Sequence, residues 1–128
     1  MKLTNFEKVC EFHKAFDLPV LETPQFPSNE RIDLRLRLHD EEYGDELQEA
    51  LAARDIVATA DALTDIAYVV YGMAAEFGID LDACFDEVHR SNMSKLGADG
   101  RPIHREDGKV VKGPNYTPPD LRKVLGVN

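Results

Sequence analysis

Apolar residues recur along most of the chain at steps of three and four, the spacing of one helix face. Phe6, Val9, Cys10, Phe12, His13 and Phe16 fall on one side of a first helix, Asn5 to about Phe16, with Thr4 and Glu7 as a capping box. Pro19, Pro24 and Pro27 then hold an extended connection. A long helix is expected from near Ser28 to about Ala53, with Ile32, Leu34, Leu36, Leu38, Tyr43, Leu47 and Leu51 spread over more than one face. Its "IDLRLRL" alternates like a strand, but continues into "EEYGDELQEALAA", rich in strong helix formers, and helix wins. After a break at "ARDI", a third helix runs from Ile56 to Phe77, apolar almost all round and closed by Gly78. A fourth starts behind Asp80 as N-cap and ends at Gly97, with Leu81, Cys84, Phe85, Val88 and Leu96 turned inward. "GRPIHREDGKVVKG" holds a turn signal at Asp107-Gly108 and predicts a short hairpin. "PNYTPPDLRKVLGVN" ends in one or two helical turns. The pattern predicts an all-α protein: one domain over residues 1–128, with a four-helix bundle core at about 5–97 and an irregular C-terminal arm at 98–128.

A chain of 128 residues suits one modest core. The net charge of −9 argues against binding a nucleic-acid polymer, which needs a basic footprint. It leaves room for an enzyme of free nucleotides, provided cations reverse the sign at its site. No apolar run approaches the ~20 residues of a membrane span, and "MKLTNFEKVCEFHK" is too charged for a signal peptide. No membrane association is expected. The compartment is then the cytoplasm, with Cys10 and Cys84 both free thiols.

The carboxylates carry the chemistry. "HDEEYGDELQEA" places Asp40, Glu41, Glu42, Asp45, Glu46 and Glu49 in three helical turns without a lysine or arginine. Between Ile56 and Ala75 the third helix has only two charges, Asp61 and Asp65, four apart and so on one face. A carboxylate in apolar surroundings is costly unless paired or holding a metal. The plain alternative is pairing with Arg35, Arg37 or Arg54. If the second and third helices pack antiparallel, Glu42 and Asp45 meet Asp61 and Asp65 at the seam, with Glu41 adjoining. Bundle cores build carboxylate metal sites in this way. All-oxygen donors suit Mg²⁺ or Mn²⁺. Glu46 and Glu49 are expected to face water.

"EEYGD", then "DALTDIAYVVYG", then "HRSNMSKL" resemble the all-α nucleoside triphosphate pyrophosphatase superfamily, which includes MazG, the dimeric dUTPases and phosphoribosyl-ATP pyrophosphatase. The compact, single-domain MazG-like members of bacteria and phages are the nearest in pattern. The resemblance covers residues 30–97, with "EFHKAFDLP" and "KGPNYTPPDL" similar on the flanks. The family pattern is two adjacent glutamates, two residues, a third glutamate, and an ExxD on the next helix. Glu41 and Glu42 take the paired positions, Asp45 the third and Asp65 the last. The sequence departs at Asp45, a shorter acid, and at Ala62, where ExxD has its glutamate; Asp61 stands one turn before Asp65 in its stead.

The resemblance implies a homodimer or homotetramer using two or three Mg²⁺ (or Mn²⁺) ions. It also implies attack of water at the α–β bridge of a (d)NTP, giving (d)NMP and pyrophosphate. Glu41 is then the candidate catalytic base, and Glu42, Asp45, Asp61 and Asp65 the candidate metal ligands. Asn92 and Lys95, where the family places polar and cationic groups, join Lys112 and Tyr116 of the arm as candidate substrate-binding residues. Arg90 and Arg105 are weaker. His13, His39, His89 and His104 show no ligand spacing and are read as structural or surface, and Phe12 and Phe16 as core. Two rival readings stand: a narrow dUTP or dGTP pyrophosphatase that shapes the nucleotide pool, and a non-catalytic helical interaction protein with a degenerate metal site.

Overall fold

The computed structural model describes residues 2–128. They form two compact units, one running to Ile79 and one from Asp80 to Asn128. Among the described residues the regular structure is helical throughout, with one isolated β-bridge. The all-α expectation holds.

In the first unit, α1 spans Asn5–Ala15. Its capping box is complete: Thr4 Oγ1 accepts from the Glu7 amide at 3.1 Å and the Thr4 amide donates to Glu7 Oε1 at 2.8 Å. Such a cap contributes about 1 kcal/mol. Helix α2, Asn29–Asp40, starts where Ser28 accepts from the Arg31 amide. The expected long helix is present but is not uniform. A π-helical segment, Glu41–Leu47, separates α2 from α3, Gln48–Ala52. Its wider i→i+5 winding falls on the acid run, with Gly44, the weakest helix former of the stretch, at its centre.

The break follows at Arg54, which is left-handed at φ 53°. Asp55 then caps α4, Ile56–Phe77, accepting from the amides of Val57 and Ala58. Gly78 ends α4 at φ 67°, pressed so close to the Thr23 carbonyl that a Cβ would collide with it.

Helix α4 corrects one expectation. Its 22 residues are long and apolar enough to cross a membrane by length and composition, where no such run is expected from the sequence. Asp61, Asp65 and Glu76 lie along it, and a carboxylate costs about 2.5–3.5 kcal/mol at the centre of a membrane helix. Glu76 is fully buried against arginines from α2, so this helix has a protein partner. Its buried positions are otherwise small (Ala62, Gly72, Ala74, Ala75), while Ile56, Val57, Leu63 and Val70 are exposed. Phe12 and Phe16 are also exposed, 39% and 64%, rather than core. The core of α1 is instead Val9 and His13, whose Nδ1 sits 2.9 Å from the Pro19 carbonyl.

The second unit begins with α5, Leu81–Met93, capped by Asp80. It stops four residues before Gly97, because Lys95 and Leu96 turn back in tight bonds to Asn92 and Met93. In the arm, His104 and Val110 make an antiparallel bridge around the Asp107-Gly108 turn, so the hairpin is one bridge long. The short α6, Leu121–Leu125, closes the chain. Ser91 donates to the Thr117 carbonyl at 2.8 Å, and Arg90 reaches Thr117 Oγ1 at 2.6 Å. Glu87 accepts from the Asp120 amide at 2.7 Å. The hydrogen bond from Arg90, with that amide, holds the Glu87 carboxyl down at about 2. Neither Cys10 nor Cys84 is in a disulfide.

Candidate functional site

Helices α2 and α4 run antiparallel, and each turns a stripe of i, i+4, i+7, i+11 positions to the other. Arg31 meets Glu76, with Nε to Oε1 at 2.7 Å and Nη2 to Oε2 at 3.0 Å. One turn on, Arg35 crosses Gly72, where a Cβ would collide with its guanidinium. Its Nη1 lies 3.2 Å from Glu76 Oε2, and its Nη2 donates to the Val69 carbonyl at 2.8 Å. Leu38 and Val69 come next, lining one cavity, and then Glu42 and Asp65. Arg31 and Arg35 are therefore spent on Glu76. Neither Asp61 nor Asp65 forms an ion pair with a described residue, so the plain pairing alternative does not hold.

Where the two stripes end, Glu42, Glu46 and Asp65 bring carboxylate oxygens within 4.8 Å of one another. The Glu42 Oε2 atom is buried and has no hydrogen-bond partner. Proximity to Glu46, with which a proton can be shared, raises the Glu42 pKa most, followed by burial and the charges of Glu46, Asp65 and Glu41; it reaches about 7. Asp65 is also raised, first by burial and then by Asp61 and Glu46. An orphaned buried oxygen among mutually repelling carboxylates suits a hard divalent cation. The donor set, all carboxylate oxygen, fits Mg²⁺ or Mn²⁺.

Of the residues singled out in the sequence, Glu42 and Asp65 are brought together. Asp45 and Asp61 are exposed and lie outside the three-acid group, although the Asp61 charge reaches Asp65. Glu46 is exposed, as expected, and also takes the third place. In an α-helix both i+3 and i+4 stay near a given face, but the wider π winding carries i+3 away and keeps i+4. Glu46 also borders an open groove of about 330 Å³ with Glu49 and Asp61. Glu41 is exposed beside the group. The signal for Glu46 was its i,i+4 spacing from Glu42, and the signal for irregular winding was Gly44.

A cavity of about 280 Å³ adjoins these acids, walled by Phe12, Leu18, Leu38 and Tyr68 as well as Glu42 and Asp65. Phe12 and Tyr68 meet edge to face, centroids 5.7 Å apart. In the second unit, Asn92 is exposed in the last turn of α5, and the Lys95 carbonyl accepts from the Gly113 amide at 2.8 Å. Lys112 is exposed, its Nζ 4.8 Å from the centre of the Tyr116 ring.

Residues 9–92 match the sequence model of the family described as phosphoribosyl-ATP pyrophosphohydrolase. The chain belongs to that family. This places it in the MazG-like all-α NTP pyrophosphohydrolase superfamily. Among curated proteins, this pyrophosphohydrolase-family chain is 37% identical over 115 residues to an uncharacterized protein of Acanthamoeba polyphaga mimivirus. The match takes in 87% of the chain and 43% of that protein, so the chain spans less than half the length of its viral relative. Among solved structures, a protein of Exiguobacterium sp. 255-15 described as a proposed NTP pyrophosphohydrolase superposes with a TM-score of 0.52. Identity to it is 26%, over 95% of this chain and 92% of that one.

Proposed function

We propose that the chain is a metal-dependent pyrophosphatase that hydrolyses a (d)NTP to (d)NMP and pyrophosphate, acting as one MazG-like domain. The observation carrying this reading is the partnerless Glu42 oxygen facing Glu46 and Asp65. In the proposal Glu42, Glu46 and Asp65 hold Mg²⁺ or Mn²⁺, two or three ions in all, with Asp45 and Asp61 as further acids of the same neighbourhood. Divalent cations, when bound, supply charge neutralisation for the triphosphate and acidify water. Glu41 takes the proton of the water that attacks the α-phosphorus, and the bond to the bridging oxygen breaks to release pyrophosphate. The aromatic-edged cavity of about 280 Å³ beside the acids is proposed as the place of the nucleoside. Asn92, Lys95, Lys112 and Tyr116 are proposed as phosphate donors on their chemistry alone. The setting is cytoplasmic, and the protein a homodimer or homotetramer.

One observation favours a second reading. Ala62, where ExxD has its glutamate, is 1% exposed and offers no oxygen, as in a degenerate, non-catalytic site. A panel of nucleoside triphosphates assayed for pyrophosphate with Mg²⁺ or Mn²⁺ separates the two. Release from at least one nucleotide, abolished by chelator, is expected. Turnover of none with either metal transfers the case to the interaction-protein reading. The same panel reports whether dUTP or dGTP is favoured.

A further inference from the structure

The acids at the end of the α2–α4 seam come from two helices, and something must fix how far one helix slides along the other. Apolar packing does this weakly, since a seam of small and aliphatic side chains has similar packings one turn, about 5.4 Å, apart. On the α4 side, the stripe that faces α2 offers Val69 and Gly72 between Asp65 and Glu76. What the seam also holds is Arg35. Its side chain is 7% exposed, in the stripe that carries Glu42 two turns further on. It grips α4 at two separate points, the Glu76 carboxylate and the Val69 carbonyl. Val69 lies one turn from Asp65. Gly72 opens the space between those points, and His13 of α1 closes it from the other side, 3.0 Å from where a Gly72 Cβ would stand. A slip of one turn breaks the two-point grip. In one direction Arg35 would face Glu76 in place of Arg31 and give up the Val69 carbonyl. In the other it would lose Glu76 and leave a buried, unpaired arginine, an expensive state.

We infer that Arg35 is a positioning residue whose two-point grip on α4 pins the helix register that brings Glu42 opposite Asp65. The inference rests on the proposed cation site. It assigns the buried Arg35–Glu76 pair to register rather than to stability, which buried ion pairs seldom supply in net terms.

The test separates those roles by measuring Mn²⁺ affinity by calorimetry alongside thermal unfolding of the metal-free protein. The double variant Arg35→Met with Glu76→Met replaces the buried pair by apolar side chains of similar length. Arg31, the other partner of Glu76, is 29% exposed and can turn its charge to water, so stability is retained or recovered. Its Mn²⁺ affinity is expected to fall roughly ten- to a hundredfold, the usual loss when groups that orient metal ligands are removed. Arg35→Lys keeps a charge beside Glu76 but gives up the fork, and is expected to lose affinity in the same direction. It also serves as the folded comparison should the double variant not fold. Mn²⁺ affinity within twofold of the unsubstituted protein in either folded variant overturns the inference. Glu42→Gln distinguishes that failure from failure of the site. If Glu42→Gln abolishes Mn²⁺ binding while the Arg35 variants retain it, the cation site stands and the positioning role falls. If the unsubstituted protein binds no Mn²⁺, both fall.

Discussion

Glu42 carries its proton to unusually high pH because Glu46 lies beside it, burial adds to this, and Glu46, Asp65 and Glu41 crowd it with like charge. Its pKa of about 7 in the folded chain exceeds that of an unfolded glutamate, about 4.3. The folded state therefore binds the proton more tightly, and the resulting stability is present below the unfolded value and lost as pH rises through 7. Asp65 is shifted in the same direction. Glu87 has the opposite sign, pulled to about 2, so its contribution is lost only as pH falls below the ordinary carboxylate range. Between pH 5 and 8 Glu87 is constant and Glu42 is not. Metal-free protein should melt higher at pH 5 than at pH 8, and Glu42→Gln should flatten that difference. Equal slopes in the two proteins would place the raised proton affinity elsewhere. The acids should also divide in turnover assays. Glu42→Gln, Glu46→Gln and Asp65→Asn should lose nearly all activity, and Asp45→Asn less. Glu41→Gln should keep cation binding while slowing the chemical step by about 10²-fold. Glu49→Gln should change little, and losses at Glu49 to match Glu46 would put the acid face one position away.

At the scale of the element, the seam between α2 and α4 decides most. Its two stripes contain a bidentate ion pair, a glycine crossed by a guanidinium, an aliphatic step and a pair of acids. Gly72 shows how little freedom the seam has. A methyl group there meets the Arg35 guanidinium outright and comes within 3.0 Å of His13 Nε2, and both side chains are buried. Gly72→Ala should therefore destabilise the chain by about 1–3 kcal/mol, the ordinary cost of overpacking, despite the better helix propensity of alanine. Denaturant unfolding measures it. A neutral or stabilising result would mean that α2 can shift to make room. Gly44 is a contrast in the same fold, since a Cβ there meets nothing within 4 Å. Its place at the centre of the π segment concerns winding rather than space.

At the scale of the whole molecule, charge and exposed apolar surface point to what the chain needs from outside. A net charge of −9 must be reconciled with the proposed substrate, itself an anion, and so links the proposed nucleotide binding to cations. Ile56, Leu63 and Val70 recur every seven residues on α4, and all three are more than two-fifths exposed. A sustained exposed seam of this kind belongs against another helix. The expected partner is a second copy of the chain, as the proposed homo-oligomer requires. Sedimentation should show a dimer or larger species at micromolar concentration, and Leu63→Glu should shift it toward monomer. A stable monomer in the unsubstituted protein would remove the oligomer from the proposal.

The sequence by itself determined the helices and most of their ends, because those signals are local, although α5 stops at Met93, short of Gly97. Thr4, Ser28, Asp55 and Asp80 cap the backbone amides nearest to them, and Gly78 supplies a left-handed residue at the end of α4. It also picked out Asp65, an acid in an apolar helix, and Glu42, in a run of acids with no lysine or arginine, since both features stand out in the composition. Tertiary structure decided the rest. Whether the arginines of α2 neutralise Asp61 and Asp65 or Glu76 depends on helix register, which no local spacing encodes. Whether Asp45 or Glu46 stands beside Glu42 depends on winding, and the π segment settled it for Glu46. Phe12, apolar and on the helical spacing of a core residue, lies on a cavity wall because the core of α1 is filled by Val9 and His13. Periodicity reports which residues share a face; only packing decides what that face meets.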